Sequence, residues 1–409
     1  MDLQSGKLYW PTTVSNTPAY PELSEDITCD ALIIGGGSSG AQSAYRLAKQ
    51  GLRVVVVDKR TIGGGSSSTN TGLIQYAGDK SLTELAASFG EETAVRHFKL
   101  CEQAITDIEE ACANIEDGAD FIRRDSLYYA SIAGDVPALK QEHALLSKHG
   151  FKVDYWDEKQ IAALYPFRKA GALYYSQDAE MNPLKYIYGL FRQVNRLGGR
   201  IYCNTEITGK TFGKDTAVFK TKNGHTITAK YVIMAAGYEQ VEITPSENAS
   251  ITSSYVVITK PVLDFVSWYK RSLIWETARP YLYMRTTQDN RIIIGGMDQD
   301  TNQKLCRDAK IAQGRDKLMN ALHFLFPDIN TEPEYALGAF FASTVDGLPM
   351  IGRNEEYPNC FYIMAYGDNG TVYNMNLSKI VTDVITKGES PDLDLYLRTK
   401  LKPLVKQAH

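Results

Sequence analysis

The chain has 409 residues, of which 44% are hydrophobic and 22% are charged, and its formal net charge is −4. A chain of this length is too long for a single small hydrophobic core, so two domains are expected. Its 44 basic and 48 acidic residues are spread along the chain without a basic cluster, which argues against nucleic acid as a partner.

Membrane insertion and export are not indicated either. No apolar run approaches the roughly 18 to 20 residues of a spanning helix, and the opening MDLQSGKLYWPTT has no signal-peptide pattern. We expect no membrane contact and a cytoplasmic location. The cysteines show no CxxC pair and no metal-ligand spacing, which predicts buried free thiols and no metal site; they are Cys29, Cys101, Cys112, Cys203, Cys306 and Cys360.

The first predicted elements form a nucleotide-binding motif. A strand over 30–34 (DALII) leads into the turn GGGSSG, a helix that ends near Gly51, and a second strand over 53–58 (RVVVVD). In such a unit Gly35 permits the tight turn, Gly37 lets the backbone approach a pyrophosphate, and Gly40 lets the helix pack on the strand. The helix start, at Ser38 and Ser39, offers N–H groups and a partial positive charge to the phosphates.

An acidic residue ends the second strand of this motif. Asp58 stands 58 − 40 = 18 residues after Gly40, close to the spacing of a carboxylate that accepts ribose hydroxyls. Because its charge would repel a 2′-phosphate, FAD or NAD is favoured over NADP.

The next segment favours FAD. An NAD dehydrogenase would continue its sheet after Asp58, but here a flexible, hydroxyl-rich stretch follows, for which a linker without a ligand is the alternative interpretation. The predicted cofactor contacts in this stretch are Lys59, Arg60, Ser66, Ser67, Ser68, Thr69, Asn70, Thr71 and Gly72.

This arrangement resembles the family of FAD-dependent amine and amino-acid oxidoreductases that includes D-amino-acid oxidase, glycine oxidase, sarcosine oxidase and γ-glutamylputrescine oxidase. The resemblance continues at a helix and strand over 184–205, at YVIMAAG (231–237), and at TVDGLPMIG (344–352) followed by FYIMAYGDNG (361–370). It implies contacts of FAD with the backbone of Ile207 and with further residues: Ala235, Ala236, Gly237, Asp346, Gly347, Gly367, Asp368, Asn369, Gly370 and Thr371.

The last of these segments has a predicted chemical role that does not depend on the resemblance. From Thr371 the apolar spacing is helical, and Gly388 is a stop signal. The turn 367–370 is therefore the entry to a helix whose N-terminus, directed at the flavin, would stabilise the negative charge of the reduced ring. An ordinary capped terminal helix is the alternative.

A candidate substrate contact lies in the second half of the chain. In PYLYMR, Tyr281, Tyr283 and Arg285 share one face of a strand by period two, and a turn at Asp289 and Asn290 predicts a hairpin with RIIIGG. A polar face of this kind could hold a ligand carboxylate, although a solvated or interfacial face is the alternative.

Three positions depart from the family pattern. Phe341 stands where many amino-acid-oxidising members have a carboxylate-binding Arg, so simple α-amino acids are not assured as substrates. Ala339 stands at the covalent-flavin Cys, which implies non-covalent FAD. Val372 aligns with the oxygen-activating Lys, so a rapid reaction with O₂ is not assured. The electron acceptor is left open between O₂, as for an oxidase, and another molecule, as for a dehydrogenase.

We therefore predict an α/β fold, α+β overall, in which a Rossmann-type FAD-binding domain is interleaved with a substrate domain on a mostly antiparallel sheet. The expected division is an N-terminal arm over 1–23, an FAD domain from three segments and a substrate domain from two. The FAD segments are 24–117, 181–244 and 334–409, and the substrate segments are 118–180 and 245–333.

The predicted activity is oxidation of a small amine or amino-acid-like molecule by hydride transfer to flavin N5, after which water hydrolyses the imine. The flavin supplies the redox chemistry, so no side-chain nucleophile is required. Two alternatives stay open: oxidation of a hydroxy acid or polyol, and a flavin-binding electron-transfer subunit without a small-molecule substrate of its own.

Overall fold

A computed structural model describes residues 2–243 and 246–398, which form two β-sheets flanked by helices. The strands of the described part are β1 Gln4–Gly6, β2 Ile27–Ile34, β3 Val54–Val57, β4 Leu73–Ile74, β5 Ile122–Tyr129, β6 Val153–Asp157, β7 Gly171–Glu180, β8 Arg200–Tyr202, β9 Ile207–Phe212, β10 Ala217–Thr221, β11 Thr226–Met234, β12 Ala249–Thr259, β13 Leu273–Glu276, β14 Leu282–Thr286, β15 Ile292–Gln299, β16 Pro333–Thr344, β17 Met350–Arg353 and β18 Cys360–Met364. The α-helices there are α1 Ser38–Lys49, α2 Leu82–Phe89, α3 Glu91–Ala113, α4 Val136–Lys148, α5 Glu158–Leu164, α6 Pro183–Arg196, α7 Gln240–Ile243, α8 Lys304–Ala309, α9 Ile311–Leu325, α10 Gly370–Lys387 and α11 Leu393–Tyr396.

The smaller sheet confirms the predicted nucleotide-binding unit. Its order is β17-β18-β11-β2-β3-β8, and the strands from β18 to β8 run parallel. All four valines of β3 are buried, as expected for a parallel strand covered on both faces. The antiparallel strands β9 and β10 continue from β11.

Two helices of this unit are joined by short polar contacts. Ser39 Oγ donates to Asn374 Oδ1 at 2.5 Å, and the hydroxyls of Ser43 and Ser378 lie 2.9 Å apart. Both pairs repeat at an interval of four residues, so they lie along one face of α1 and one face of α10. The helix α10 ends at Gly388 with φ 90°, which confirms the predicted stop signal.

The larger sheet has the order β1-β16-β12-β15-β14-β13-β5-β7-β4, with β6 paired to β7. Its pairings are antiparallel except for β13 with β5, so the prediction of a mostly antiparallel second sheet is confirmed. The predicted hairpin is present as β14 and β15, with Met284 opposite Ile294.

The sheets divide the chain differently from the predicted domain ranges. The strand β16, placed by sequence in the FAD domain, pairs with β12 in the larger sheet, and β1 of the predicted arm joins the same sheet. One apolar core runs from the smaller sheet to the larger one, which is why apolar patterning does not separate them. The predicted boundary at 244/245 and residues 399–409 lie outside the described residues.

Two other features of the described residues concern thiols and membranes. Five cysteines are buried free thiols as predicted, but Cys306 in α8 is exposed, so that part of the prediction is wrong. Among residues 2–243 and 246–398, no helix is both long and apolar enough to cross a membrane.

Candidate functional site

A cleft of about 420 Å³ opens where β2, β3 and β11 end. This is the edge of a parallel sheet at which ligands of open α/β folds bind. The structure brings sixteen of the predicted cofactor residues into its wall. They are Gly35, Gly37, Ser38, Ser39, Asp58, Lys59, Arg60, Ser66, Ser67, Asn70, Ile207, Ala235, Ala236, Gly237, Gly370 and Thr371.

The glycines of the first turn have separate physical roles. Gly35 has φ +122°, and a Cβ at Gly40 would lie 1.8 Å from the Gly35 oxygen, so close packing requires glycine at both positions. Gly40 is accordingly buried behind the cleft wall. A Cβ at Gly37 would meet only Ser67 Oγ, at 3.1 Å. Gly37 therefore leaves space on the cleft side for a ligand.

The carboxylate of Asp58 organises the turn. Oδ2 accepts from the Gly36 N–H and Oδ1 from the Arg60 N–H, each at 2.7 Å. Since a carboxylate has about four acceptor sites, it retains capacity for ribose hydroxyls. The side chains of Lys59 and Arg60 both pair with Glu239 at 3.0 Å, so they are held at the rim by a residue that sequence reasoning missed.

The serine-rich segment is an ordered wall between two cavities. Residues Ser66–Thr69 form a 3-10 helix, and Ser67 Oγ accepts from the N–H of Ser38 at 3.1 Å. The hydroxyl of Ser68 donates instead to the Gly65 oxygen at 2.9 Å, which turns it away from the cleft. The backbone of Gly72 packs on the Met181 oxygen, where a Cβ would lie 2.2 Å away.

The start of α10 faces the cleft, as predicted. Gly370 and Thr371 line it, and no side chain caps the helix at Asn369. Asn369 Nδ2 donates to the Ala77 oxygen at 2.7 Å, which fixes the entry turn. The first N–H groups of the helix and its dipole therefore favour negative charge at this point.

A second cavity, of about 120 Å³, adjoins the cleft and shares Ser66, Asn70, Tyr238 and Gly370 with it. Predicted residues from both halves of the chain meet in its wall. They are Thr69, Thr71, Tyr281, Tyr283, Gly367, Asp368 and Asn369. Other wall residues include Trp275, Asp298, Ala339 and Phe341.

Acidic groups stand in and beside the second cavity. Desolvation by burial raises the pKa of Asp298 to about 6, against a hydrogen bond from Ser254 that lowers it. Burial, and then the neighbouring Asp79, hold the pKa of Asp368 well above its ordinary value. Burial also raises the pKa of Asp79, which accepts from the Tyr281 hydroxyl. Asp298 is thus the wall carboxyl that ionises more readily.

Arg285 corrects a prediction. Its guanidinium is 3% exposed, lies outside both cavity walls, and donates to the backbone oxygens of Thr71 at 2.7 Å, Thr286 at 3.0 Å and Met181 at 2.8 Å. Tyr283 and Arg285 alternate along β14 as predicted and Tyr281 directly precedes that strand, but only the two tyrosines reach the cavity. Arg285 is a structural residue because its donors are directed at backbone.

Asp346 and Gly347, which the resemblance places beside the flavin, line neither the cleft nor the second cavity. Asp346 Oδ2 pairs with Arg398 at 3.3 Å, and its Oδ1 accepts from the Leu348 N–H at 3.0 Å. Gly347 lines another cavity, of about 650 Å³, beneath the side chain of Lys80. The two residues close a turn outside the cleft.

Sequence reasoning missed Trp275 and Asp298 in the second cavity. Both lie in strands of the larger sheet, β13 and β15, and neither belongs to a motif. The acid that ends IIIGGMD has no spacing rule like that of Asp58. Only the packing of β12, β14 and β15 brings it to the cavity.

The residues present fit FAD. Asp58 has acceptor capacity for ribose hydroxyls, the open backbone at Gly37 suits a pyrophosphate, and the start of α10 suits an electron-rich ring edge. A dinucleotide requires all three features in one cleft, and the cleft wall contains them.

Comparisons with known proteins agree with this geometry. A family model described as "DAO: FAD dependent oxidoreductase" matches residues 30–384. Gamma-glutamylputrescine oxidoreductase of Escherichia coli is 25% identical over 95% of this chain and 90% of its own length. Glycine oxidase of Geobacillus kaustophilus is 24% identical over 88% and 94%, respectively. The crystal structure of glycine oxidase from the same organism superimposes with a TM-score of 0.75 at 20% identity, covering 92% of this chain and all of that one.

Proposed function

Because this chain belongs to the family of FAD-dependent oxidoreductases, we propose that it oxidises a small amine or amino-acid-like molecule at a C–N bond. Relatives whose names state a gamma-glutamylputrescine or glycine substrate align over most of the chain. The observation that carries the proposal is the small second cavity joined to the cleft at Gly370. It offers a substrate a place beside the start of α10.

We assign the cofactor contacts to the residues of the cleft wall. Asp58 accepts the ribose hydroxyls, while Gly37, Ser38 and Ser39 receive the pyrophosphate at the start of α1. The start of α10, at Gly370, stabilises negative charge on the ring. Ala339 lines the second cavity and offers no covalent link, which supports non-covalent binding of FAD.

When bound, FAD supplies at N5 the acceptor for the hydride that leaves the carbon next to nitrogen. The substrate changes from a neutral amine to an iminium ion by losing that hydride, and water converts the iminium to a carbonyl compound and ammonia or a smaller amine. The chain's own residues bind and orient. The aromatic walls at Trp275, Tyr281 and Tyr283 exclude water until the C–H bond has broken.

The cofactor and substrate roles divide along the chain and not strictly by sheet. We propose that the segments 24–117, 181–244 and 334–409 serve mainly the cofactor and that 118–180 and 245–333 serve the substrate. The strand β16 is shared in this scheme, because it pairs in the larger sheet and carries Ala339 and Phe341 to the second cavity.

The decisive experiment is an anaerobic reduction panel on the FAD-loaded protein. Primary and secondary amines, amino acids, 2-hydroxy acids and polyols are added separately, and flavin bleaching is followed near ~450 nm. We expect an amine or amino acid to bleach the flavin with one equivalent of carbonyl product. Bleaching only by a hydroxy acid or polyol, or only by dithionite, would refute the proposal in favour of its two alternatives.

The electron acceptor is tested on the same preparation. Val372 is fully buried in α10 and supplies no charge to activate oxygen, which supports an acceptor besides O₂. Mixing reduced protein with air and with an artificial quinone, and comparing the two reoxidation rates, separates an oxidase from a dehydrogenase.

A further inference from the structure

In the part of the chain that the structure describes, the second cavity is lined by acidic and aromatic side chains but by no basic one. None of its wall residues is Lys, Arg or His, whereas two are Asp298 and Asp368. The guanidinium predicted to hold a carboxylate, Arg285, is occupied by backbone oxygens. A substrate carboxylate placed here would meet no basic side chain in the wall; the nearby Arg279 acts on Asp298 and Asp368 from outside it.

Two polar atoms in this cavity have no partner. Oδ1 of Asp298 and Nε1 of Trp275 are both buried and have no hydrogen-bond partner among residues 2–243 and 246–398, and Trp275 as a whole is 4% exposed. An unpaired buried acceptor and donor cost free energy unless a ligand completes them. A ligand that carries both a donor and an acceptor would complete both atoms.

Aromatic rings complete the wall around Asp298. The rings of Tyr281 and Tyr283 lie 5.7 Å apart at 45°, and Trp275 is held by stacking on Tyr128 at 3.8 Å. Aromatic faces attract an ammonium ion, most strongly when it is desolvated.

We propose that Asp298 is a specificity-determining residue that binds the ammonium group of a cationic amine substrate, with Tyr281, Tyr283 and Trp275 forming the walls. This deepens the proposed function and rests on it. The substrate class is an alkylamine that enters protonated and bears a hydrogen-bond-accepting atom for Trp275. The ammonium group passes one N–H proton to the Asp298 carboxylate, and the neutral amine that results then loses the hydride. A simple α-amino acid anchored by its carboxylate is not in this class.

The test measures binding rather than turnover. The FAD-loaded protein is titrated with tert-butylammonium, tert-butanol and the larger anion pivalate, which share a tert-butyl group and have no C–H bond that the enzyme could oxidise. Calorimetry or the flavin spectrum reports each Kd. We expect the cation to bind about tenfold or more tightly than the alcohol, with pivalate weakest, since hydrogen bonds to buried charge discriminate to this extent.

The variant Asp298→Asn should raise the Kd of tert-butylammonium about tenfold or more and leave that of tert-butanol unchanged. Asp300→Asn makes the same chemical change at an exposed position two residues away and serves as the matched control. Equal affinity for the cation and the alcohol in the unmodified protein would overturn the proposal even if the variant failed to fold. So would an Asp298→Asn protein that binds FAD more weakly but the cation normally, because Asp298 would then serve the cofactor.

A pH titration adds a second readout. The charged and titratable groups near Asp298 are Tyr281, Tyr283 on β14, Tyr255 on β12, Asp79 and Arg279, with Ser254 donating from β12. Because the pKa of Asp298 is about 6, cation affinity should be constant above pH 7 and fall as the pH drops through 6. Failure of the proposed function is recognised separately, since it leaves these binding constants intact while no amine bleaches the flavin.

Discussion

Nε of Arg285 donates a hydrogen bond to the backbone oxygen of Thr71 at 2.7 Å, joining the larger sheet to the serine-rich segment. Glu180 lies 3.6 Å from the same guanidinium. Arg285→Met should lower the free energy of unfolding by about 3 to 5 kcal/mol, because it leaves a buried charge and three backbone oxygens without this partner. Urea unfolding measures the loss.

The same variant should also retain less FAD after gel filtration, since the wall at Thr71 loses its support. Arg315→Met is the control, because Arg315 pairs with a neighbouring carboxylate on the surface and should change stability by less than about 0.5 kcal/mol. A stable Arg285→Met protein that loses only substrate affinity would restore the substrate role predicted from sequence.

Asp58 should determine FAD affinity. Asp58→Asn replaces one acceptor oxygen by a donor that faces a backbone N–H, either of Gly36 or of Arg60. We expect the Kd of FAD to rise about tenfold to a hundredfold, corresponding to about 1.4 to 3 kcal/mol. Fluorescence of released flavin measures it.

Asp30→Asn is the control for this change, since Asp30 lies on the same strand β2 but pairs with Arg53 at the surface, at 2.8 Å. An Asp58→Asn protein with the FAD affinity of the control would contradict the assigned role.

Two glycines of one turn should respond differently to alanine. Gly40→Ala places a Cβ 1.8 Å from the Gly35 oxygen, so it should destabilise the fold by more than about 3 kcal/mol. Gly37→Ala meets only Ser67 Oγ at 3.1 Å, so it should fold but bind FAD at least about tenfold more weakly. Circular dichroism and flavin titration separate the two effects, and equal FAD affinity in Gly37→Ala and the unmodified protein would refute the pyrophosphate assignment.

A buried carboxyl should make stability depend on pH. Desolvation by burial raises the pKa of Asp178 from 3.8 to about 7, despite hydrogen bonds from Ser126 and the Tyr76 N–H. Because the folded pKa is raised, the cost of ionising Asp178 is absent below about pH 4 and complete above about pH 7.

Asp178→Asn should therefore stabilise the protein at pH 8 and change little at pH 4. Each pKa unit corresponds to about 1.4 kcal/mol, so the gain at pH 8 should be on the order of 2 to 4 kcal/mol. The free energy of unfolding is measured at pH 4 and at pH 8. The control is Asp154→Asn, which changes an exposed residue on the neighbouring strand β6. A gain that is the same at both pH values would contradict the assignment.

The sequence by itself determined the βαβ unit that carries the proposed nucleotide site. Gly35, Gly37, Gly40 and Asp58 lie within one contiguous βαβ unit, where backbone geometry and spacing along the chain define their relative positions. The start of α10 could also be predicted, since a glycine turn followed by helical periodicity indicates where a helix begins. Such features depend on neighbours in sequence, and the structure confirmed the strands and helices that carry them.

Only the tertiary structure decided the second cavity. Alternation along a strand predicted that Tyr281, Tyr283 and Arg285 share a face, but not that Arg285 would meet Thr71, 214 residues away, while the tyrosines line the cavity. Asp298 and Trp275 belong to no sequence motif. The strand β16 lies in the larger sheet, and not in the predicted FAD domain, because it pairs with β12, which is far from it along the chain. Contacts between distant residues depend on how whole sheets pack, and no local spacing rule contains that information.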